Sequence, residues 1–227
     1  MTSDRSPNLR VPPRRLRARS AAVALGTLTA TGGAAHADRR ETSFHAHVVG
    51  GALALGDHGH SGSGGWGGFA LRASRATRNS FQYDTQLTLG YGTAAFDQGT
   101  FSLQGGTPVM APYTLASQLA RLDAGITFRL GVQWIPTVRI AVGAQATRRA
   151  SPVVTYNGTE FDGDASGQPA QITANLVGAA TVGLDYRWNR RLIVGAAAGA
   201  STSVPGVGDS WRSFDVTAHA AYYFYWR

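Results

Sequence analysis

Ten ionisable side chains stand at alternate positions within apolar stretches of the chain: Arg72, Asp84, Arg121, Asp123, Arg129, Arg139, Asp185, Arg187, Asp215 and His219. Leu122-Asp123-Ala124, Val138-Arg139-Ile140, Leu184-Asp185-Tyr186 and Phe214-Asp215-Val216 are typical of the pattern. Guanidiniums and carboxylates sharing one face can line a small-ligand pocket or narrow pore, or they can neutralise one another as structural ion pairs. A narrow interior tolerates buried charge only when it is paired and hydrogen-bonded, so packing alone already demands such pairs. The structural reading is the expected one.

The histidines raise metal and catalytic chemistry. His58 and His60 lie in a Gly/Ser-rich tract where nothing fixes ligand geometry. His45 and His47 share one strand face, but no carboxylate or thiolate completes a set around them, and the chain has no Cys. Neither a metal ligand nor a cofactor-binding residue is therefore assigned. Nucleophilic catalysis needs a Ser or Thr within reach of a base. His219 is mid-strand with no evident Ser partner, so no catalytic residue is assigned and the expectation is a non-enzyme. Glu160, Asp162 and Asp164 supply hard oxygens for Ca²⁺, but their spacing is not that of an established calcium loop, and a solvated acidic loop is the expected reading.

The elements that position these residues are strands of period two. The clearest is the last. Phe214, Val216, Ala218, Ala220, Tyr222, Phe224 and Trp226 form one row, and Asp215, Thr217, His219, Ala221, Tyr223 and Tyr225 form the other. Seven further strands are read at Glu41–Leu55, Trp66–Ala76, Phe81–Tyr91, a segment ending on Leu122–Leu130, Val138–Ala146, Ile172–Trp188 and Leu192–Ala200. A bulge is expected at Gly50-Gly51, where the first pattern blurs. The segments 57–65, 93–112, 148–168 and 201–210 read as long loops, and the connections between them as short turns. An even number of strands, alternating loop lengths and aromatics at strand ends fit a membrane barrel. A membrane strand needs about 9–11 residues at a tilt of roughly 45°, and no backbone edge can face hydrocarbon. A soluble lipocalin-like barrel is the competing reading. The Gly, Thr, Gln and paired charges of the second row, with no Lys in the chain, weigh against it.

Charge and leader agree. The formal charge is +8, which alone would suggest nucleic acid, yet six of the 21 basic residues precede residue 20. Beyond Ala37 there are 15 Arg and 12 acids, a net +3, so no nucleic-acid partner is expected. An Arg-rich start, an Ala-rich apolar stretch from Ala21 to Ala35 and the Ala35-His36-Ala37 site have the order of a secretory signal peptide. The expected division is a signal peptide at 1–37, cleaved after Ala37, and a barrel domain at 38–227.

On these residues the chain resembles the small eight-stranded outer-membrane barrels: the OmpA transmembrane domain, OmpX and OmpW. The resemblance rests on the Ala35–Ala37 leader, the eight alternating strands and the run Tyr222-Tyr223-Phe224-Tyr225-Trp226. It implies an all-β, eight-stranded antiparallel up-and-down barrel in the outer membrane of a Gram-negative bacterium. It also implies that Tyr222, Phe224 and Trp226 form the C-terminal signal read by the barrel-assembly machinery, and that lipid and lipopolysaccharide surround the wall. The expected function is a structural or loop-mediated interaction role, with an extracellular ligand at loops 93–112 and 148–168 and an interior filled by Arg/Asp ion pairs. The alternatives are a small-ligand or narrow-pore transport barrel and, third, a lipid A-modifying enzyme.

Overall fold

In a computed structural model, residues 41–57, 59–78, 80–102, 106–161, 169–204 and 210–225 are described. The strands are β1 (Glu41–Asp57), β2 (His60–Arg78), β3 (Phe81–Phe101), β4 (Val109–Arg129), β5 (Trp134–Arg149), β6 (Val153–Tyr156), β7 (Thr159–Phe161), β8 (Gln171–Arg187), β9 (Leu192–Ser203) and β10 (Trp211–Tyr225). Eight of them close a ring in the order β1-β2-β3-β4-β5-β8-β9-β10, each pair antiparallel, with β10 returning to β1 from Glu41↔Tyr225 to Leu55↔Trp211. The ring is an up-and-down barrel with no open edge within it.

The two rows of each strand part cleanly. Outward residues are large and apolar: Phe69 is 68 % exposed, Ile140 67 %, Val142 69 % and Leu176 66 %. Inward residues include Asp84, Asp123, Arg139 and Asp185, all buried. A soluble barrel would have the opposite arrangement. At the rim that carries connections 79–80, 130–133 and 188–191, outward aromatics form a belt. Phe44 meets Phe224 (ring centroids 5.8 Å apart), Phe81 meets Phe128 (5.1 Å) and Trp134 meets Tyr186 (4.8 Å). A closed even-stranded barrel with an apolar exterior and an interfacial aromatic girdle is the outer-membrane class. The chain is an integral outer-membrane β-barrel.

Strands run well past the segments that alternation marks out. β3 and β4 have 21 residues each, about twice what the bilayer requires. Their pairing continues to Phe101↔Val109, past a bulge between Phe96 and Gly99, as a ribbon beyond β2. Most of the expected 93–112 loop is therefore strand, leaving 102–108 as connection. The expected 57–65 loop is also strand: Gly62, Ser63, Gly64 and Gly65 pair with β1, and the connection is 58–59 alone. The first connection is thus short, against the expected alternation, which the later connections 79–80, 102–108, 130–133, 150–170, 188–191 and 204–210 do follow. Within the expected 148–168 loop lies the β6–β7 hairpin, whose β6 adds to β4 at Tyr113↔Val154. Its turn, Asn157-Gly158, has positive φ at both residues (50° and 76°), the two-residue geometry that Asn-Gly favours.

No bulge interrupts β1. Its pairing with β2 and β10 runs through Gly50 and Gly51 without a shift. What changes there is the chemistry of the lumen. Ser43, His45 and His47 point inward below Gly50, and Leu53 and Leu55 point inward above it. The apolar row crosses from outside to inside while the register stays constant.

Candidate functional site

The lumen is layered. Towards the rim with the longer connections it is filled by Leu53, Leu55, Trp66, Phe96, Tyr113, Leu115, Leu119 and Trp211, among others. Towards the girdle it holds Ile135, Ile193, Ala221 and Tyr223. Between these apolar layers lie the charges. The interior is therefore an ionic layer between two apolar ones, rather than ion pairs throughout.

Arg139 on β5 is the centre of the ionic layer. Its Nε and Nη2 donate to Asp84 Oδ1 on β3 at 2.8 and 2.5 Å, and Nη2 also donates to Asp123 Oδ1 on β4 at 2.5 Å. Thr127 Oγ1 donates to Asp84 Oδ2 (2.7 Å), and Arg121 Nε lies 3.2 Å from Asp123 Oδ2. Two carboxylates facing one buried guanidinium are tolerable because hydrogen bonds share the charge. Asp215 accepts from the Trp66 indole Nε1 at 2.8 Å, tying the ionic layer to the apolar plug. Near the rim, Asp57 accepts from Tyr113 Oη (2.8 Å) and lies 3.3 Å from Arg149 Nη1. Arg72, Arg129 and Arg187 also face inward and are half-buried.

The histidines converge. His45 and His47 stack with ring centroids 5.9 Å apart, and His47 and His219 are 4.8 Å apart. His219 Nε2 is 3.0 Å from Asp185 Oδ1. The register explains this reach. Asp185, Gly195, His219 and His47 are cross-strand partners in one row over β8, β9, β10 and β1. Gly195 has no side chain, so Asp185 extends over β9. A Cβ there would fall 2.4 Å from Asp185 Oδ1 and 2.9 Å from His219 Nε2.

A Ser–His contact that alternation did not reveal is also present. Ser43 Oγ is 2.9 Å from His45 Nε2, and Ser74 Oγ is 2.6 Å from Ser43 Oγ. The Ser43-x-His45 spacing, two residues on one strand face, is its sequence signal. Arg72 Nη2 lies 3.2 Å from His45 Nδ1. A guanidinium has no acceptor, so Nδ1 accepts, the ring proton sits on Nε2, and His45 donates to Ser43. A base for Ser43 would need the opposite tautomer. Among the described residues no group of three or more His, Cys, Asp or Glu is arranged to hold a metal ion.

The space left in the ionic layer is a cavity of about 50 Å³. At about 10–15 Å³ per water position that is room for a few waters. Tyr222 and Phe224 lie on the outer wall, each 41 % exposed. Trp226, Ala35, Ala37, Asp162, Asp164 and His58 lie outside the described residues.

No family model and no curated protein matches the sequence. Among solved structures, the attachment invasion locus protein Ail of Yersinia pestis, in complex with the heparin analogue sucrose octasulfate, is similar at 13 % identity, covering 82 % of this chain and 99 % of that one (TM-score 0.47). Neisserial surface protein A is similar at 10 % identity, covering 79 % and 96 % (TM-score 0.46). The outer membrane protein OprG of Pseudomonas aeruginosa is similar at 7 % identity, covering 82 % and 97 % (TM-score 0.49).

Proposed function

We propose that this barrel acts as an outer-membrane scaffold, structural in itself and presenting its β3–β4 ribbon and β6–β7 hairpin outside the cell for interaction. The observation that carries this reading is the contrast between a filled lumen and strands that continue far beyond the apolar band. A lumen with a cavity of about 50 Å³ has no room for solute transport. The ribbon, by contrast, is packed by Phe96, Phe101, Tyr113 and Val154, continuous with the apolar layer of the lumen, with Tyr156 and Phe161 against the same cluster. Such a rigid projection can hold a recognition surface in place. The same reading takes residues 1–37 as the signal peptide, the aromatic end at Tyr222, Phe224 and Trp226 as the assembly signal, and lipopolysaccharide as the lipid neighbour of the ribbon side.

The experiment is fractionation of cells expressing the full chain, gel comparison of boiled and unboiled samples, and protease treatment of intact cells. The expected result is an outer-membrane band whose mobility shifts on boiling and which intact cells lose to cleavage within 97–108 or 157–168. A soluble periplasmic band with no shift would overturn the barrel reading. A shifted band fully protected in intact cells would overturn surface display alone.

A further inference from the structure

We propose that the outer wall at the girdle rim, from β9 across β10 and β1 to β2, docks anionic phospholipid, with Arg191 and Arg75 each holding a headgroup phosphate. Exposed charge is divided unevenly between the two ends of the barrel. Among the described residues, the exposed acids Asp97 and Glu160 lie on the ribbon and the hairpin, and Arg148 and Arg212 are exposed towards that same end. At the girdle rim the exposed charges are Arg75, Arg190 and Arg191, while Glu41, at the foot of β1, is buried. Neither Arg75 nor Arg191 forms an ion pair among the described residues.

Arg191 is held against the wall. Asn189 Oδ1 accepts from the backbone N–H groups of Arg191 and Leu192 at 2.8 and 2.9 Å. The Arg191 carbonyl accepts from the Tyr223 N–H at 2.8 Å. Its Nη1 then donates to Tyr222 Oη (3.3 Å), on the lipid-facing row of β10. Tyr222, Phe224 and Phe44 form one aromatic patch, with successive ring centroids 4.9 and 5.8 Å apart. Arg75 stands on the far side of that patch. It is the cross-strand partner of Thr42 and of Tyr83, another exposed girdle residue. One step towards the midplane come Ala73, Thr85 and Ala124, cross-strand neighbours that line a groove in the outer wall together with Arg75 and Tyr83.

At the depth of an aromatic girdle a lipid-facing arginine meets headgroups rather than hydrocarbon. The guanidinium fork matches a pair of phosphate oxygens. A zwitterionic headgroup brings its own ammonium and leaves the positive charge of the rim uncancelled, so a headgroup of net negative charge is favoured. The groove beside Arg75 accepts an acyl chain over small side chains, which a soluble anion does not need. The Arg191 guanidinium lies against an outward tyrosine and Arg75 lies within a strand, which favours lipid over a soluble periplasmic polymer. That the leaflet is the periplasmic one rests on the reading that places the ribbon outside the cell. The binding itself does not, since a vesicle presents the same lipid to both ends of the wall, and protease treatment of cells reports orientation separately.

The test reconstitutes the refolded full chain, verified by its boiling shift, in phosphatidylcholine vesicles. Electron paramagnetic resonance then compares the immobilised fractions of spin-labelled phosphatidylglycerol and spin-labelled phosphatidylcholine. Each arginine should favour the anionic headgroup roughly five-fold at its own site. The expected result is a larger immobilised fraction of phosphatidylglycerol. Arg75→Gln with Arg191→Gln should bring the two lipids level, whereas Arg148→Gln with Arg212→Gln, at the other end, should leave most of the preference. Equal fractions in the wild type would overturn the proposal, as would a preference lost equally in the two double variants. Loss of the preference to inorganic phosphate at constant ionic strength would mean a site for free phosphate and would overturn the lipid assignment. If the first double variant fails to refold, Arg75→Gln alone must lower the preference, and an unchanged value there would sink the proposal.

Discussion

At the scale of single residues, position in the lumen decides what a substitution does. Arg139 faces two carboxylates. Arg139→Met leaves Asp84 buried without a counter-charge beside Asp123, which keeps only Arg121, and breaking a buried pair in this way costs roughly 3–5 kcal/mol. The expected result is a clear fall in the urea midpoint of the refolded barrel, and the double change Asp84→Asn, Arg139→Met, which keeps the Arg121–Asp123 pair, should recover most of it. A single variant as stable as the parent would remove Arg139 from the centre of the layer. Gly195→Ala is a finer probe. Its Cβ would overlap Asp185 Oδ1, so the Asp185–His219 contact must open, with a loss of about 1–3 kcal/mol in the same urea titration. Alternation alone places Arg139, Asp84 and Asp123 on one face. It says nothing about which strands become neighbours across the lumen, so the triad centred on Arg139 and the Asp185–Gly195–His219 row emerge only from register.

At the scale of elements, the outer wall and the ribbon should respond oppositely to the same charge. Val182 is 60 % exposed on β8, four residues from Tyr186 of the girdle and so within the apolar band. Met110 is 63 % exposed on the part of β4 that pairs with the β3 extension. Equal exposure to lipid and to water has unequal consequences. Val182→Arg should cost about 2–4 kcal/mol, the range for Arg near the bilayer midplane, whereas Met110→Arg should be close to neutral, as surface changes usually are. Unfolding both variants from lipid vesicles with urea separates them, and equal losses would mean that the ribbon also lies in lipid. The same contrast explains which elements were legible in the sequence. In the membrane segments one row is uniformly apolar, so period two is plain. Outside them the outward face is polar and the lumen apolar, so Gly62–Gly65, Phe96–Phe101 and Ala111–Leu115 carry no membrane signature although they are strands. The β6–β7 hairpin did have a signal, Asn157-Gly158 between Val154 and Phe161, hidden within an otherwise loop-like stretch. At Gly50-Gly51 the inversion of lumen chemistry resembles a slip in register.

At the scale of the whole molecule, closure and filling together determine what can pass. Eight strands leave a lumen that side chains fill. Here the filling comes in three layers whose partners belong to different strands, Trp66 of β2 with Asp215 of β10 and Arg139 of β5 with Asp84 of β3. Opening a path would require the apolar plug around Trp66 and Trp211, whose rings meet edge to face with centroids 6.1 Å apart, to leave together with the charges beneath it. That is a change on the scale of unfolding the barrel rather than turning one side chain. Proteoliposomes of the refolded chain should therefore admit neither monosaccharides nor small zwitterions faster than empty vesicles in an osmotic swelling assay. Removing the ribbon at 97–108 should leave that result unchanged, because the plug includes Leu53, Leu55, Trp66 and Trp211, which belong to other strands. Swelling at a porin-like rate in the intact barrel would mean that the layers move apart in lipid and would revive the transport reading. Swelling only in the trimmed chain would show instead that the ribbon, through Phe101 and its contact with Tyr113, is what holds the plug in place.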